Sequence, residues 1–248
     1  WTANGYTVTF AANGGDVVPG NKVVTYDGVY GVLPVPVLTI ESRFGYRFGG
    51  WWSGMYGKGI QVTPETVVKV SNDHNLYADW ERISVNLVLP VNGGVLESYR
   101  SQYNTTTYKA ANLTDESTES VWRSAIRPRN EQAFEYSFFE GKAAVLNGVT
   151  LFNVSGTFAS KGFEVWVLPP GGQWQKFAEG NLLKTAAAQE FDLGGVVAER
   201  ARLVIVSGYS TLYWELAEFE IHGFLKAPTR PVDEWYAERG FEPGPGGT

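Results

Sequence analysis

Apolar and polar residues alternate along this chain in short runs with a period of two. Tyr6-Thr-Val-Thr-Phe10 alternates strictly, which reads as a strand with one face turned to a core. Lys22–Tyr26, Tyr46–Trp52, Thr66–Val70 and Asn75–Trp80 read the same way. Turn signals separate them. Asn13-Gly14-Gly15 and Asp27-Gly28 tolerate the left-handed backbone that tight turns require. Leu33-Pro34-Val35-Pro36 lacks two backbone donors, so it predicts a crossing segment or short helical turn rather than a central strand. Residues 1–82 thus form one small unit.

Residues 83–224 continue the rhythm. Strands are expected at Ser84–Leu89, Phe134–Phe138, Gly148–Val154, Gly162–Leu168, Ala188–Leu193, Ala201–Ser207 and Glu215–His222. Asn92-Gly93-Gly94, Pro169-Pro170-Gly171-Gly172 and Ser207-Gly208 punctuate them. Short strands at close spacing predict an all-β sandwich. Leu203–Val206 is apolar throughout, as suits a strand covered on both faces. Residues 225–248 hold Pro228, Pro231, Pro243 and Pro245 and read as a linker-like tail. Within it, Asp233–Phe241 suits a short helix, the start of a further module or a segment packing back on the sandwich.

Composition narrows the function. The net charge is −6 and no basic run interrupts the sequence, so nucleic acid is excluded as an expected partner. Cysteine is absent, which removes thiol catalysis and suits a bacterial or cytosolic origin. No apolar stretch is long enough to insert in a membrane. No Gly-x-Ser-x-Gly elbow, phosphate loop or dinucleotide fingerprint occurs. The two histidines, His74 and His222, fall at strand edges and read as surface residues rather than bases. Glu215, Glu218 and Glu220 crowd one predicted strand. They suit a solvated face or a cation site better than the flanking carboxylates of a glycosidase. The expectation is a protein that is not an enzyme. Aromatic residues make up 15% of the chain, including 9 Trp and 13 Tyr, and such rings form contact platforms as well as cores.

The first unit carries a recognisable series: Gly5-Tyr6-Thr-Val-Thr-Phe10, Asn13-Gly14-Gly15, Leu33-Pro34-Val35-Pro36, Gly45-Tyr46-Arg47-Phe48-Gly49-Gly50-Trp51 and Leu76-Tyr77-Ala78-Asp79-Trp80. It closely resembles the bacterial internalin B-type repeat, also called the Listeria–Bacteroides repeat. The resemblance implies a compact β-grasp-like module, repeated in tandem on secreted or surface proteins. Glu41-Ser42-Arg43-Phe44 departs from the pattern as a loop insertion. Trp1 stands where Trp80 stands at the far end, as if it closed a preceding copy, so the chain is expected to be part of something longer.

The second unit carries Asn112-Leu-Thr-Asp115-Glu116-Ser117-Thr-Glu-Ser120-Val-Trp122, Lys161-Gly-Phe-Glu-Val-Trp-Val167, Phe191-Asp-Leu-Gly194 and Glu215-Leu-Ala-Glu-Phe-Glu-Ile221. In order and spacing these resemble the discoidin-like, or coagulation factor type C, jelly roll, whose bacterial members are commonly carbohydrate-binding. The resemblance implies a structural Ca²⁺ held by Asp115 and Glu218 through carboxylates. Asn112, Ser117, Ser120 and Ala217 would add backbone or hydroxyl oxygens, the hard donors calcium takes. Glu116 and the two serines depart from the family's loop. The alternative is a metal-free loop in which Asp115 caps a turn through its own backbone.

For a ligand face the resemblance points to Arg123, Asn153 and Lys161, which do not reproduce the family's galactose set. Tyr103, Tyr209 and Tyr213 are candidate stacking rings, and Arg127 and Arg129 sit in a polar loop near the same rim. Trp214 suits either a platform or the core, and Trp122 suits the core. The expected function is non-catalytic binding of glycan by an extracellular or cell-surface bacterial fragment, with the repeat as spacer and further modules as neighbours in the full chain. The alternatives are adhesive stalk modules that contact a surface protein, or an accessory region of a larger glycosidase.

Overall fold

The computed structural model describes residues 4–13, 20–38 and 45–225. Contacts divide the chain between Ile83 and Ser84. Trp1, Gly14, Gly15, the 41–44 insertion and the tail beyond Leu225 lie outside the described residues. Both units are all-β.

The first unit is a mixed sheet of β1 (Gly5–Ala11), β2 (Asn21–Thr25), β3 (Tyr46–Trp52), β4 (Gln61–Val62) and β5 (His74–Arg82), in the order β2-β1-β5-β3-β4. The central pair β1 and β5 runs parallel, with Phe10 opposite Leu76, and the other pairs are antiparallel. This is the expected β-grasp-like order. Alternation places Val8, Phe10, Trp51, Leu76, Ala78 and Trp80 on one buried face. Phe10 and Trp51 lie 4.9 Å apart between ring centroids, and Phe48 bridges Trp51 and Trp80 at 5.5 and 5.6 Å. Both buried indoles find acceptors: Trp51 donates to the Pro34 carbonyl at 2.7 Å and Trp80 to the Ala12 carbonyl at 2.9 Å. The proline segment is therefore a crossing pinned by Trp51, with no helix among its described residues. Asn13 is left-handed at φ 52° and its side chain donates to the Ala78 carbonyl. Thr66–Val70 is not a strand. Only Val67 bridges, to Val29.

The second unit packs a four-stranded sheet, β13-β10-β16-β6, against a five-stranded one, β12-β11-β14-β9-β7. The strands are β6 (Val85–Asn86), β7 (Val95–Tyr99), β9 (Gln132–Ser137), β10 (Ala144–Phe152), β11 (Gly162–Leu168), β12 (Gln175–Asn181), β13 (Gln189–Ala198), β14 (Arg200–Ile205) and β16 (Glu218–Leu225). A short ribbon joins β8 (Trp122–Arg123) to β15 (Glu215–Leu216). Ring pairs cross between the sheets: Tyr136 meets Phe219 at 5.4 Å and Phe163 meets Phe191 at 4.6 Å. Leu203, Val204 and Ile205 are buried, as a strand covered on both faces should be, while Val206 emerges.

Three strands of the second unit, and β4 in the first, escape the hydrophobic pattern. β7 and β12 are the edges of the five-stranded sheet, where exposed polar residues are tolerated and protective. β8 is too short to show a period. The expected strand Glu215–His222 breaks at Ala217, whose amide donates to the Phe152 carbonyl, so β15 pairs with β8 and β16 with β10. Ser84–Leu89 shortens to β6 before a 3-10 turn at Pro90–Asn92.

The fully buried Trp51 anchors both the sheet and the crossing segment. Trp51→Ala is expected to destabilise the first unit by about 3–5 kcal/mol, read as lost protection of β1 and β5 amides in hydrogen exchange. Unchanged protection would show that the crossing carries no stability.

Candidate functional site

At one end of the second unit, five loops converge on the β8–β15 ribbon. Backbone hydrogen bonds set them. The amide of Ser124 donates to the Trp214 carbonyl, that of Arg127 to Leu212, that of Tyr209 to Ala159, and that of Tyr103 to Arg123. Asn104 orders its own loop by accepting from the amides of Thr106, Thr107 and Tyr108.

Arg123 stands at the centre. Its guanidinium lies 3.8 Å from the Tyr108 ring centroid, 5.3 Å from those of Phe158 and Tyr213, and 5.6 Å from that of Tyr103. Its Nε donates to Glu215 Oε1 at 2.6 Å, and this ion pair is largely withdrawn from water. The rings meet edge to face, with Tyr103 5.5 Å from Tyr213 and Tyr213 5.2 Å from Phe158. Cation and quadrupole thus stabilise each other. Arg123, expected at the ligand face, is instead turned inward here: it pairs with Glu215 and packs its guanidinium among these rings. Tyr213 is a wall of this cluster rather than a free platform. Tyr103 keeps nearly half its surface exposed.

Asn153 is also corrected. It is 1% exposed, donates to the carbonyls of Ser160 and Leu183, and accepts from the Ser160 amide. Those bonds tie two loops together and leave it nothing for a ligand. Trp122 and Trp214 are buried, as the core reading holds. Trp122 donates to the Ser101 carbonyl and Trp214 to that of Ser210.

Beside this cluster Arg127 and Arg129 face Ser207, Ser210, Thr211 and Trp214 across a cleft of about 350 Å³. The cleft floor depends on Gly208, where any Cβ would collide with the Trp214 indole. Tyr209 is 44% exposed, and its hydroxyl donates to the Leu182 carbonyl at 3.0 Å. The ammonium groups of Lys161 and Lys184 lie 5.6 and 5.9 Å from its ring centroid. The structure therefore gathers Tyr103, Arg127, Arg129, Lys161 and Tyr209 at one rim. Sequence reasoning missed Lys184, Tyr108 and Phe158. The chain's return through 153–161 and 182–184 brings Phe158 and Lys184 there, and the loop ordered by Asn104 brings Tyr108.

The candidate cation loop follows a 3-10 turn at Ala110–Thr114. The Ser117 amide donates to both Asp115 Oδ1 and Glu218 Oε1 at 3.1 Å. Ser120 Oγ donates to Asp115 Oδ2 at 2.6 Å and to the Ser117 carbonyl. Four of the six expected residues are thus assembled. Asn112 braces the loop by giving its side-chain amide to the Thr107 and Val121 carbonyls, and Ala217 directly precedes Glu218 in the chain. Glu116 takes a left-handed φ of 61°, the strained conformation expected where a side chain replaces glycine. Among the described residues no three His, Cys, Asp or Glu side chains cluster to hold a metal. Glu218 Oε2 is nevertheless buried without a hydrogen-bond partner. Burial, and then the charge of Asp115, pushes the Glu218 carboxyl up to about 7, partly offset by backbone amides.

Glu215 and Glu218 are buried rather than on a solvated face, and only Glu220 is partly exposed, bonded to His222 at 3.0 Å. His222 also meets Thr150, and His74 meets the Tyr30 hydroxyl at 2.7 Å. Both histidines are bound into sheets.

Residues 6–79 match the model of the Listeria-Bacteroides repeat domain. No curated protein matches the chain. Among solved structures, a CBM32 module from Clostridium perfringens, in complex with GalNAc-β-1,3-galactose, is 19% identical with a TM-score of 0.47, covering 54% of this chain and 97% of its own. The family 32 module of Clostridium perfringens NanJ, in complex with galactose, is 16% identical with a TM-score of 0.47, covering 56% and 99%. A chitosan-binding module from Paenibacillus sp. IK-5 is 18% identical with a TM-score of 0.45, covering 55% and 98%.

Two outcomes follow from this geometry. Glu218 titrates higher in the folded than in the unfolded chain, so the native state holds the extra proton and stability falls as pH rises from about 4.5 to about 7. In chelator, urea unfolding across that window should show the fall, and Glu218→Gln should flatten it. Arg123→Leu should cost about 3–5 kcal/mol by stranding buried Glu215, while Arg123→Leu with Glu215→Leu should recover much of the loss. A double variant as unstable as the single one would sink the ion-pair account.

Proposed function

We propose that residues 84–225 form a non-catalytic glycan-binding module and that the first unit is an internalin B-type spacer repeat. The observation that carries this reading is the rim itself. Exposed Tyr209 stands beside an open cleft edged by hydroxyls and by Arg127 and Arg129, and exposed Tyr103 lies against Tyr213, which precedes the cleft residue Trp214 in the chain. A ring face takes sugar C–H groups, and the surrounding donors fix orientation. The buried Arg123 cluster holds the loops rigid, so little entropy is lost on binding. The chain then serves as one binding element of a longer extracellular or cell-surface bacterial protein, where repetition raises weak single-site affinity.

The cation loop supports a structural Ca²⁺ bound by Asp115 and Glu218 carboxylates, with oxygens from Ser117 and Ser120. The unpartnered Glu218 oxygen fits this role, because calcium takes six to eight oxygen ligands. Calcium would tie the 115–120 loop to the start of β16. Added Ca²⁺ should raise the unfolding temperature at pH 7.5 and abolish the fall in stability above pH 4.5, whereas Mg²⁺ should do neither. Identical melts in calcium and chelator would dismiss the metal.

Glycan binding is tested with the full chain on a glycan array. Selective binding is expected, reduced about tenfold by Tyr209→Ala or Tyr103→Ala, a loss of about 1.4 kcal/mol. Binding that both variants leave intact would move the site elsewhere. Absence of binding by the folded chain would favour a module that contacts protein.

A further inference from the structure

We propose that the ligand of this rim is an acidic polysaccharide, one bearing a carboxylate or sulfate on successive sugars. This rests on the glycan reading above and names its chemical class.

The argument begins with charge. The whole chain is acidic, with 26 Asp and Glu against 20 Lys and Arg. The loops at the rim reverse this. Segments 100–109, 123–130, 153–162, 182–188 and 206–214 together hold seven Lys and Arg and no Asp or Glu. No single segment shows a basic run. The fold assembles the field from scattered positions.

Several cations elsewhere in the chain sit against acids. Arg47 pairs with Glu81, Lys69 with Asp27, Lys176 with Glu164 and Glu179, and Arg200 and Arg202 with Glu135. At the rim Arg123 is neutralised by Glu215. Arg127, Arg129, Lys161 and Lys184 have no ion pair among the described residues. Like charges gathered without counter-charges repel, and an anionic ligand relieves that repulsion.

The arrangement suits a polymer of sugars. Residues Ser207–Thr211 run between the two cation pairs. Arg127 and Arg129 lie across the cleft on one side, while Lys161 and Lys184 lie beside Tyr209 on the other. The Lys161 amide donates to the Ser207 carbonyl at 2.8 Å, and the Ser207 hydroxyl accepts from the Gly162 amide, so the segment is fixed between them. A chain laid over it meets cations at two places, with hydroxyls and a tyrosine ring between. Arginine forks match carboxylate and sulfate oxygens in pairs, and lysine adds point charge. A small free anion would use one pair and leave the ring idle.

The test is affinity gel electrophoresis of the full chain in polygalacturonate, dextran sulfate and a neutral galactan. Retardation is expected in the acidic polymers, with carboxylate and sulfate arms separating the two anion types. Arg127→Ala with Arg129→Ala, or Lys161→Ala with Lys184→Ala, should weaken it at least about tenfold. Raising NaCl from about 0.05 M to about 0.5 M should do the same, since exposed ion contacts are screened. Lys58→Gln, in the other unit, should change nothing. Equal retardation in neutral galactan, untouched by the double variants, would overturn the acidic ligand and leave glycan binding standing. Retardation in no polysaccharide would remove both readings. An equal loss with Lys58→Gln, or equal binding to single-stranded DNA of matched charge, would replace the site with unspecific charge attraction.

Discussion

The buried ion pair between Arg123 and Glu215 organises the loop end of the second unit. It joins β8 to β15, and four aromatic rings close around it. Burying two charges is costly, and that cost is recovered only when geometry and further contacts are good. Here the recovery comes from the rings, whose faces meet the guanidinium. Each ring belongs to a different stretch of chain or a different turn of it. The same contact that neutralises the arginine therefore fixes where several loops run. The rim and its cleft inherit their shape from this arrangement rather than from the loops' own preferences.

The fold was largely legible because its central strands obey a two-residue period. Tyr46–Trp52 and Gly162–Leu168 match their expected bounds residue for residue. Edge strands β7 and β12 were not legible, since their residues are exposed on nearly every position of both faces and carry no alternation. The break at Ala217 was hidden as well. Period alone does not say when a strand changes partners.

The site was less legible than the fold. Asp115, Ser117, Ser120 and Glu218 were grouped from motif order, and the fold does bring them into one hydrogen-bonded loop, because a loop and a strand end carry them as contiguous sets. Tyr209 and Lys161 were found as rim candidates, but Arg123 and Asn153 were polar residues whose burial no local pattern shows. Their partners, Glu215 for one and Ser160 and Leu183 for the other, come from separate segments. The positive rim was invisible for the same reason. A sequence without a basic run still builds a basic surface when its acids are confined to other loops.

The floor of the cleft is backbone. Gly208 lies so close to the Trp214 indole that no side chain fits between them, and the indole in turn is bonded to the Ser210 carbonyl. Substitution at the floor therefore unsettles the module before it alters what the module holds. The cations and the exposed tyrosine around the edge hold no part of the hydrophobic core. Under the proposed glycan reading, ligand preference and structural integrity reside in different residues. Related copies of such a module can drift toward new polymers by exchanging a handful of edge side chains while the platform beneath stays the same.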